Sequence, residues 1–477
     1  MALLQSLLGF LSLTSKPSRQ VMRRAARIDA KRSLDFVAGG RRTRGTGSVQ
    51  SINADILAAR GLGPGRARYS AFNQPLIASA VSALVSNMIG PGIKIVPATN
   101  DPALDKFLSQ RFDDWTDTCD FFGRQTLYGL QSTLATRYFV DGEGIALLVH
   151  LRDDLKIKLI DQSQIDGTAN IQQPDGGIAI AGVVLDPEGR PVAYDFYKNY
   201  VAGLPLLQGL ERVRIPAEDV LHFFRVEAAG QVRGLSHLAP SLLRATEHDG
   251  YSDAQLLRMR MGAMQCGFIT DADGTLLADA ATPGEVSMEP GTVTRLKPGE
   301  SYTQNEATKI GAEVVDHEKG VIREICAGVG IPSFLVDFNL SEVNFSSARV
   351  GIIEFRKKIM THQDAFAFSV LRPIWRRWLT TEVLSGRLDI PLTDDTLRMR
   401  CIAPKQEWLQ PDKDVAGETM AIAAGLMSRK EAVAARGWDV ETIDAEIASD
   451  KAREKSLGLS FTPLQPQTGV QDNEPAP

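Results

Sequence analysis

Residues 331–358 read IPSFLVDFNLSEVNFSSARVGIIEFRKK, and the second half of that stretch has the periodicity of a helix. Ala348, Ile352, Phe355 and Ile359 recur at three- and four-residue spacing, with Arg349, Arg356 and Lys357 on other faces. Glu354 and Lys358 make an i, i+4 pair in the favourable order. Ahead of them, Asn344, Ser346 and Ser347 offer side-chain oxygens suited to capping a helix N-terminus, and Pro332 closes the preceding helical pattern after Gly330. The roughly dozen residues between the two helices are therefore a polar, aromatic-bearing loop, and loops carried by rigid elements are where function concentrates.

The 477 residues, 43% hydrophobic and 23% charged, suffice for a large core and two or more subdomains. Cys119, Cys266, Cys326 and Cys401 are far apart without CxxC spacing, so reduced thiols are expected rather than a zinc site or a disulfide framework. No apolar run reaches the ~18 residues needed to span a bilayer; residues 76–89 are interrupted by Ser79, Ser82, Ser86 and Asn87. No membrane partner is expected.

The charge is uneven. Lys16, Arg19, Arg23, Arg24, Arg27, Lys31, Arg32, Arg41, Arg42 and Arg44 crowd an N-terminal arm opposed only by Asp29 and Asp35, while the net charge is −5. Such an arm suits nucleic acid or an acidic partner, because neutralising phosphates releases counterions; a strap on a neighbouring subunit is the alternative. Before it, Leu3, Leu4, Leu7, Leu8 and Leu11 fall on one helical stripe with no basic residue ahead of them, which favours an amphipathic helix docking on protein over an export signal. Residues 39–68, rich in Gly, Arg and Ser, read as an extended connector.

Ile77, Ala80, Val81, Leu84, Val85 and Met88 make one helical face that stops at Gly90-Pro91-Gly92. A short strand over 93–96, helices over 105–120 and 123–140 and a strand over 145–152 follow, and then short β-rich runs at 155–160, 178–185, 192–197 and 220–224 separated by turn residues. A long helix is expected over 240–264, with Gly250 inviting a bend. Strands at 267–270 and 292–296 precede a helix over 314–329. Pro373 begins another helix bearing Trp375, Trp378 and Leu379, ended by Gly386; a strand over 397–403 then leads to two or three short helices, with Ser428 as a cap and Gly437 as a break. From 458 onward, Pro, Gln, Asn and Gly indicate disorder.

Catalytic signals are weak. Asp113, Asp114, Asp117 and Asp120 could gather around a metal, but acidic helix faces are usually solvated. His222 alternates with Leu221 and Phe223 and reads as a structural strand residue. Gly230, Gly234 and Ser236 resemble fragments of a phosphate loop, yet GxxxxGK[ST] is missing, as are HExxH and GxSxG. No cofactor or metal is expected.

The phrases IDQSQIDG, GVVLDPEGRPVAYDFY and RIPAEDVLHFFRVEAAGQVRGLSHLAPSLLRA, with GIPSFL and SSARVGIIEFRKKI flanking the loop, resemble in order and spacing the lambda-type portal proteins of tailed bacteriophages. The likeness runs over residues 69–451. It implies an α+β portal fold with wing, stem, clip and helical crown regions, assembling into a ring of twelve subunits. The divisions implied are a basic arm and connector (1–68), a wing-like α/β region (69–235), a first stem helix (236–266), a clip-like region (267–313), a second stem helix (314–330), a channel loop (331–347), a long helix and wing return (348–404), a helical crown (405–457) and a tail (458–477).

That resemblance makes Phe334, Asp337, Asn339, Ser341, Asn344, Ser346, Ser347 and Arg349 the expected DNA-contacting residues. Arg23, Arg24, Arg27, Lys31, Arg32, Arg41, Arg42 and Arg44 are a second candidate surface for DNA or a partner. The implied partners are double-stranded DNA, the terminase large subunit, major capsid and scaffold proteins, and head-tail connector proteins. The expected place is the capsid portal vertex, with assembly in the host cytoplasm. The rival readings are an adaptor or scaffold ring that conducts no DNA, and a DNA-processing enzyme.

Overall fold

A computed structural model of the chain describes residues 51–168, 170–174, 176–198, 211–263, 267–271, 300–304, 312–341, 344–407 and 410–459. The basic arm, the strand expected at 292–296 and all but the start of the tail lie outside the described residues.

The described chain begins with helices where an extended connector was expected. Helix α1 (Ile52–Ala59) buries Ile56 and Ala59, and α2 (Gly63–Asn73) takes Pro64 in its first turn and turns the small Ala67 and Ser70 inward. The arginines that made this stretch look solvated are structural. Arg68 donates to both oxygens of the buried Asp141, at 2.7 Å each, and pairs with Asp161 at 2.8 Å.

Helix α3 (Pro75–Met88) buries the expected face, Ile77, Ala80, Val81, Leu84 and Met88. Strand β1 (Lys94–Pro97) follows, then α4 (Pro102–Thr116), capped by Asp101, and α5 (Leu127–Asp141), capped by Thr126. Helix α4 stops earlier than expected, so Asp117 and Asp120 lie beyond it.

Strand β2 (Glu143–Leu151) is the centre of a three-stranded antiparallel sheet between β3 (Asp154–Ile160) and a later strand. An antiparallel meander intervenes: β4 (Ile171–Gln172), β5 (Ile178–Ile180), β6 (Val183–Leu185), β7 (Pro191–Tyr197) and β8 (Arg212–Pro216). The single run expected at 178–185 is in fact a hairpin. Ala181 and Gly182 both have positive φ (52° and 82°), as a two-residue primed turn requires, and no Asn-Gly pair marks it. Strand β9 (Val220–Phe224) then returns to β2, pairing Glu143 with Phe224.

Helix α6 (Ala239–Ala263) runs unbroken through Gly250. Strands β10 (Gly267–Asp271) and β11 (Glu300–Gln304) pair antiparallel; β11 was not anticipated. Helix α7 (Ala312–Val329) lies along α6, joined by the Ser241 hydroxyl donating to the Ile325 carbonyl at 2.7 Å and by an Arg244–Glu324 ion pair at 2.6 Å. Helix α8 (Phe345–Phe366) continues through a π-helical turn (Ala367–Leu371) into α9 (Arg372–Leu384). Pro373 lacks an N–H and crowds the carbonyl one turn back, and the wider turn before it lets one rod continue where a fresh helix was expected.

Strand β12 (Met399–Ile402) pairs with β1, so the two ends of the main body are tied together. Helices α10 (Pro411–Ala423), α11 (Arg429–Ala434) and α12 (Val440–Leu457) complete the described chain. Ser428 caps α11, accepting from the Glu431 N–H at 3.1 Å, and Gly437 has φ 77°.

Alternate residues of β2 explain the layering. Ala146 and Leu148 join the main core of α3 to α9, whereas Ile145 and Leu147 join a second core under the meander with Tyr194, Phe196 and Val232. Sandwiched in this way, the sheet is buried on both faces. Phe112, Trp115, Trp375 and Trp378 also belong to the main core, with Phe112 edge-on to both Trp375 and Trp378. Among the described residues no helix is long and apolar enough to cross a membrane.

Candidate nucleic-acid interface

The loop of residues 331–344 leaves α7 through a Schellman arrangement. Gly330 has φ 86°, its N–H donates to the Ala327 carbonyl at 3.1 Å, and the Ile331 N–H donates to the Cys326 carbonyl at 3.0 Å. A 3₁₀ turn over Ser333–Leu335 follows, and the Ser79 hydroxyl of α3 grips the Val336 carbonyl at 2.7 Å. Ile331 and Val336 are buried. At the far end Asn344 caps α8, its side chain accepting from the Ser346 N–H at 2.9 Å. Both ends of the loop are therefore fixed to rigid elements.

Over residues 337–341 the chain is exposed and folded upon itself. Asp337 Oδ1 accepts from the Asn339 N–H at 3.0 Å, and Asn339 Oδ1 accepts from the Ser341 N–H and hydroxyl at 3.1 and 2.6 Å. These successive side-chain turns hold Phe338 at φ 54°, and the residue is 78% exposed. Residues 331–347 contain no Lys or Arg.

The structure sorts the expected site residues into two groups. Asp337, Asn339, Ser341, Asn344, Ser346 and Ser347 are exposed along the loop and the start of α8. Phe334 is not at the tip: it is half-buried, with its ring edge over Gly351 of α8, and holds the base of the loop. Arg349 is committed elsewhere, donating to Gln410 Oε1 at 2.9 Å and to Asp414 at 3.0 Å, which joins α8 to the start of α10. Arg356 likewise donates to the Glu407 carbonyl at 2.8 Å. Glu354 pairs with Lys357 at 2.7 Å, not with Lys358 as the i, i+4 spacing suggested. Sequence reasoning missed the exposed apolar Phe338 and Leu340, although their place between Asp337, Asn339 and Ser341 was visible.

Of the residues considered for chemistry, Asp120 and Gly234 have structural roles. Asp120 is buried and accepts from the backbone N–H groups of Phe122, Arg124 and Gln125, while Asp113, Asp114 and Asp117 are exposed. Among the described residues no three His, Cys, Asp or Glu side chains gather as metal ligands would. Gly234 cradles no phosphate: an added Cβ there would sit 2.0 Å from the Gly142 carbonyl oxygen, so the two glycines mark a backbone crossing.

Beside that crossing lies a buried charge network. Glu143 accepts from both Arg233 Nε (2.8 Å) and Nη2, from the Gly234 N–H at 3.1 Å, and shares a hydrogen bond with His222 Nε2 at 3.0 Å. Burial alone would raise the Glu143 pKa, but Arg233, His222 and Arg60 together hold it well below the ordinary 4.5. His222, anticipated as structural, is pulled the other way, below 6.5, chiefly by its burial. A second histidine cluster ties the base of α6 to α8. His237 contributes its Nδ1 to the Tyr138 carbonyl at 3.2 Å, and His362 Nδ1 meets the Tyr138 hydroxyl at 2.8 Å. Burial lowers His362 to about 4, so at neutral pH it is uncharged.

The profile of lambda-family phage portal proteins matches residues 39–363. A probable portal protein from Halomonas phage phiHAP-1 is 24% identical over 421 residues, covering 83% of this chain and 80% of the relative. Among solved structures, a chain from the neck of an empty gene transfer agent particle, computed with C6 symmetry, is 14% identical with a TM-score of 0.47, covering 87% of this chain and 96% of that one. A chain from the neck of the native particle, computed with C12 symmetry, is 15% identical with a TM-score of 0.43, covering 85% and 98%. Because the family match takes in more than half of the sequence, the chain belongs to the lambda family of phage portal proteins.

Proposed function

We propose that this portal protein forms a closed ring of twelve subunits at one capsid vertex, that double-stranded DNA is packaged and ejected through it, and that residues 334–347 line the narrowest part of the channel. The observation that carries this is the loop itself, anchored at both ends, exposed over residues 337–341, and without a single Lys or Arg in its sequence. A conduit must guide DNA without gripping it, because each phosphate neutralised by a cation adds binding energy that translocation would have to undo. Asn339, Ser341 and Ser346 offer neutral contacts, and the arginines that follow in α8, Arg349 and Arg356, are engaged by α10 and the segment before it.

The ring itself is supported by α8, which buries Phe355, Ile359 and Phe366 while leaving Val350, Ile353 and Met360 exposed on other faces. A neighbouring subunit in a head-to-tail ring would cover such a stripe. In this reading α6 and α7 are stem helices, the segment between them is the clip that meets the terminase large subunit and later the head-tail connector proteins, and the periphery meets capsid and scaffold proteins. The chain acts as a structural conduit, with the force for packaging supplied by the terminase.

The test is to delete residues 338–341 and measure ring assembly and DNA packaging separately. Rings of normal size with at least a ~10-fold loss of packaged DNA are expected, since misplacing a positioned contact by an ångström or so is already costly. Loss of the rings would show the loop to be structural, and normal packaging would remove it from the DNA path.

A further inference from the structure

The rod formed by α8 and α9 gathers arginines on one face. Arg372 and Arg376 stand one turn apart on the outside of α9, whose inner residues Ile374, Trp375, Trp378 and Leu379 are buried. The turn before β12 adds Arg398, and this turn is fixed: the Thr396 hydroxyl donates to the Pro391 carbonyl at 2.9 Å, and the Leu397 N–H to the Thr393 carbonyl at 3.0 Å. The Ala98 N–H, donating to the Arg398 carbonyl at 3.1 Å, ties it to the end of β1. Together Arg372, Arg376, Asp394, Leu397, Arg398 and Met399 line a cavity of about 330 Å³, at the lower end of those that hold ligands.

Arg398 pairs with Asp395 at 3.3 Å, but Arg372 and Arg376 make no ion pair among the described residues. Like charges one turn apart on a helix repel, and an anion between them would relieve that cost. Arg372 lies over the ring of Phe368, 5.7 Å from its centre, and Phe368 is 68% exposed.

We infer that this cavity binds an acidic peptide segment of a partner protein, one that carries a carboxylate side chain beside an aliphatic one. Arginine forks match carboxylates and phosphates alike, so the rest of the lining decides. Leu397 and Met399 offer apolar surface that an aliphatic side chain covers and a phosphodiester backbone does not. Asp394, when ionised, only accepts hydrogen bonds. A peptide answers it with a backbone N–H, whereas a phosphodiester backbone has acceptors alone and sets its own negative charge against the carboxylate. The site also stands apart from the loop of residues 331–347, since the rod from Phe345 to Arg372 is about 40 Å long at 1.5 Å per residue. It does not depend on the channel reading.

Hydroxyl-radical footprinting of the full-length protein tests this, with a Glu-rich synthetic peptide carrying one Leu as the probe and the exposed Phe107 as internal reference. The peptide should lower labelling of Phe368 and Met399 by at least about threefold relative to Phe107, because a cavity encloses most of what it binds. The same peptide with Gln in place of Glu should protect neither. Each protein is compared with and without peptide, so a changed baseline at Phe368 does not enter. In an Arg372→Gln/Arg376→Gln variant, which alters exposed side chains and leaves the core intact, half-protection should need at least about tenfold more peptide. Lys451→Gln/Arg453→Gln removes the same charge from exposed positions of α12 and should leave protection unchanged. Equal or stronger protection by a duplex oligonucleotide would make this a phosphate site. That result, no protection by the Glu-rich peptide, or protection that survives the change at Arg372 and Arg376 would each overturn the inference.

Discussion

Glu143 sits with Arg233 and His222 where β2, β9 and the segment leading to α6 meet, and the Glu143 and Arg233 side chains are each 1% exposed. Glu143→Gln would leave the Arg233 guanidinium buried beside a neutral amide, and breaking one half of a buried pair typically costs about 3 to 5 kcal/mol. The urea midpoint at pH 7 should fall accordingly. The sign with pH follows from the depressed carboxyl pKa. The stabilisation is complete above the ordinary value of 4.5 and is lost as pH falls through the lower folded-state value. The gap between wild type and variant should therefore be constant above the ordinary value of 4.5 and narrow below it; a gap that widens in acid would show that Glu143 is not held ionised. This residue was legible only in half. His222 alternates with apolar neighbours and reads as a strand residue, but its carboxylate partner lies 79 positions earlier, and nothing local joins them.

At the scale of elements, glycines separate by what surrounds them. Gly234 crosses Gly142 so closely that an added Cβ would sit 2.0 Å from a backbone oxygen, whereas Gly250 lies in mid-helix with nothing within 4 Å. Gly234→Ala should yield little soluble protein, while Gly250→Ala should raise stability by roughly 0.5–1 kcal/mol through helix propensity; thermal melts of the two variants check both, and a soluble, wild-type-like Gly234→Ala would refute the crossing. In sequence the two look alike. The same limit explains residues 52–73, where Gly and Arg punctuate a pattern that composition reads as a connector; the helices form because small inward residues let α2 approach, and because Arg68 finds Asp141 across the fold. Where the governing signal was local, as with the cap at Asn344, the stop at Gly330 and the faces of α3 and α9, the elements were readable in advance. The loop between α7 and α8 was placed for that reason. Its side-chain directions were not, because Phe334 and Arg349 are positioned by Gly351, Gln410 and Asp414.

Across the whole molecule, stability should fall from the double core outward to the C-terminal helices. None of α10, α11 and α12 contains a fully buried residue. Their attachments are mostly polar: Arg349 to Gln410 and Asp414, Arg356 to the Glu407 carbonyl, Arg436 to Glu418 and the Gln406 carbonyl, Arg400 to Asp439 and Glu441, and Lys94 over the Trp438 ring. Exposed and half-exposed pairs contribute at most about 1 kcal/mol each and weaken in salt. Amide exchange in residues 411–457 of the isolated subunit should therefore be faster than in α3, α5 and α9, and faster still at high ionic strength. Arg349→Ala removes two of the bonds that join this group to α8. It should raise exchange in α10 while leaving the buried helices unchanged, because their protection comes from apolar packing that the substitution does not touch. Slow, salt-independent exchange in α10 would mean that apolar contacts hold it. A rise in the buried helices on replacing Arg349 would mean that the C-terminal group and the main body unfold as one unit.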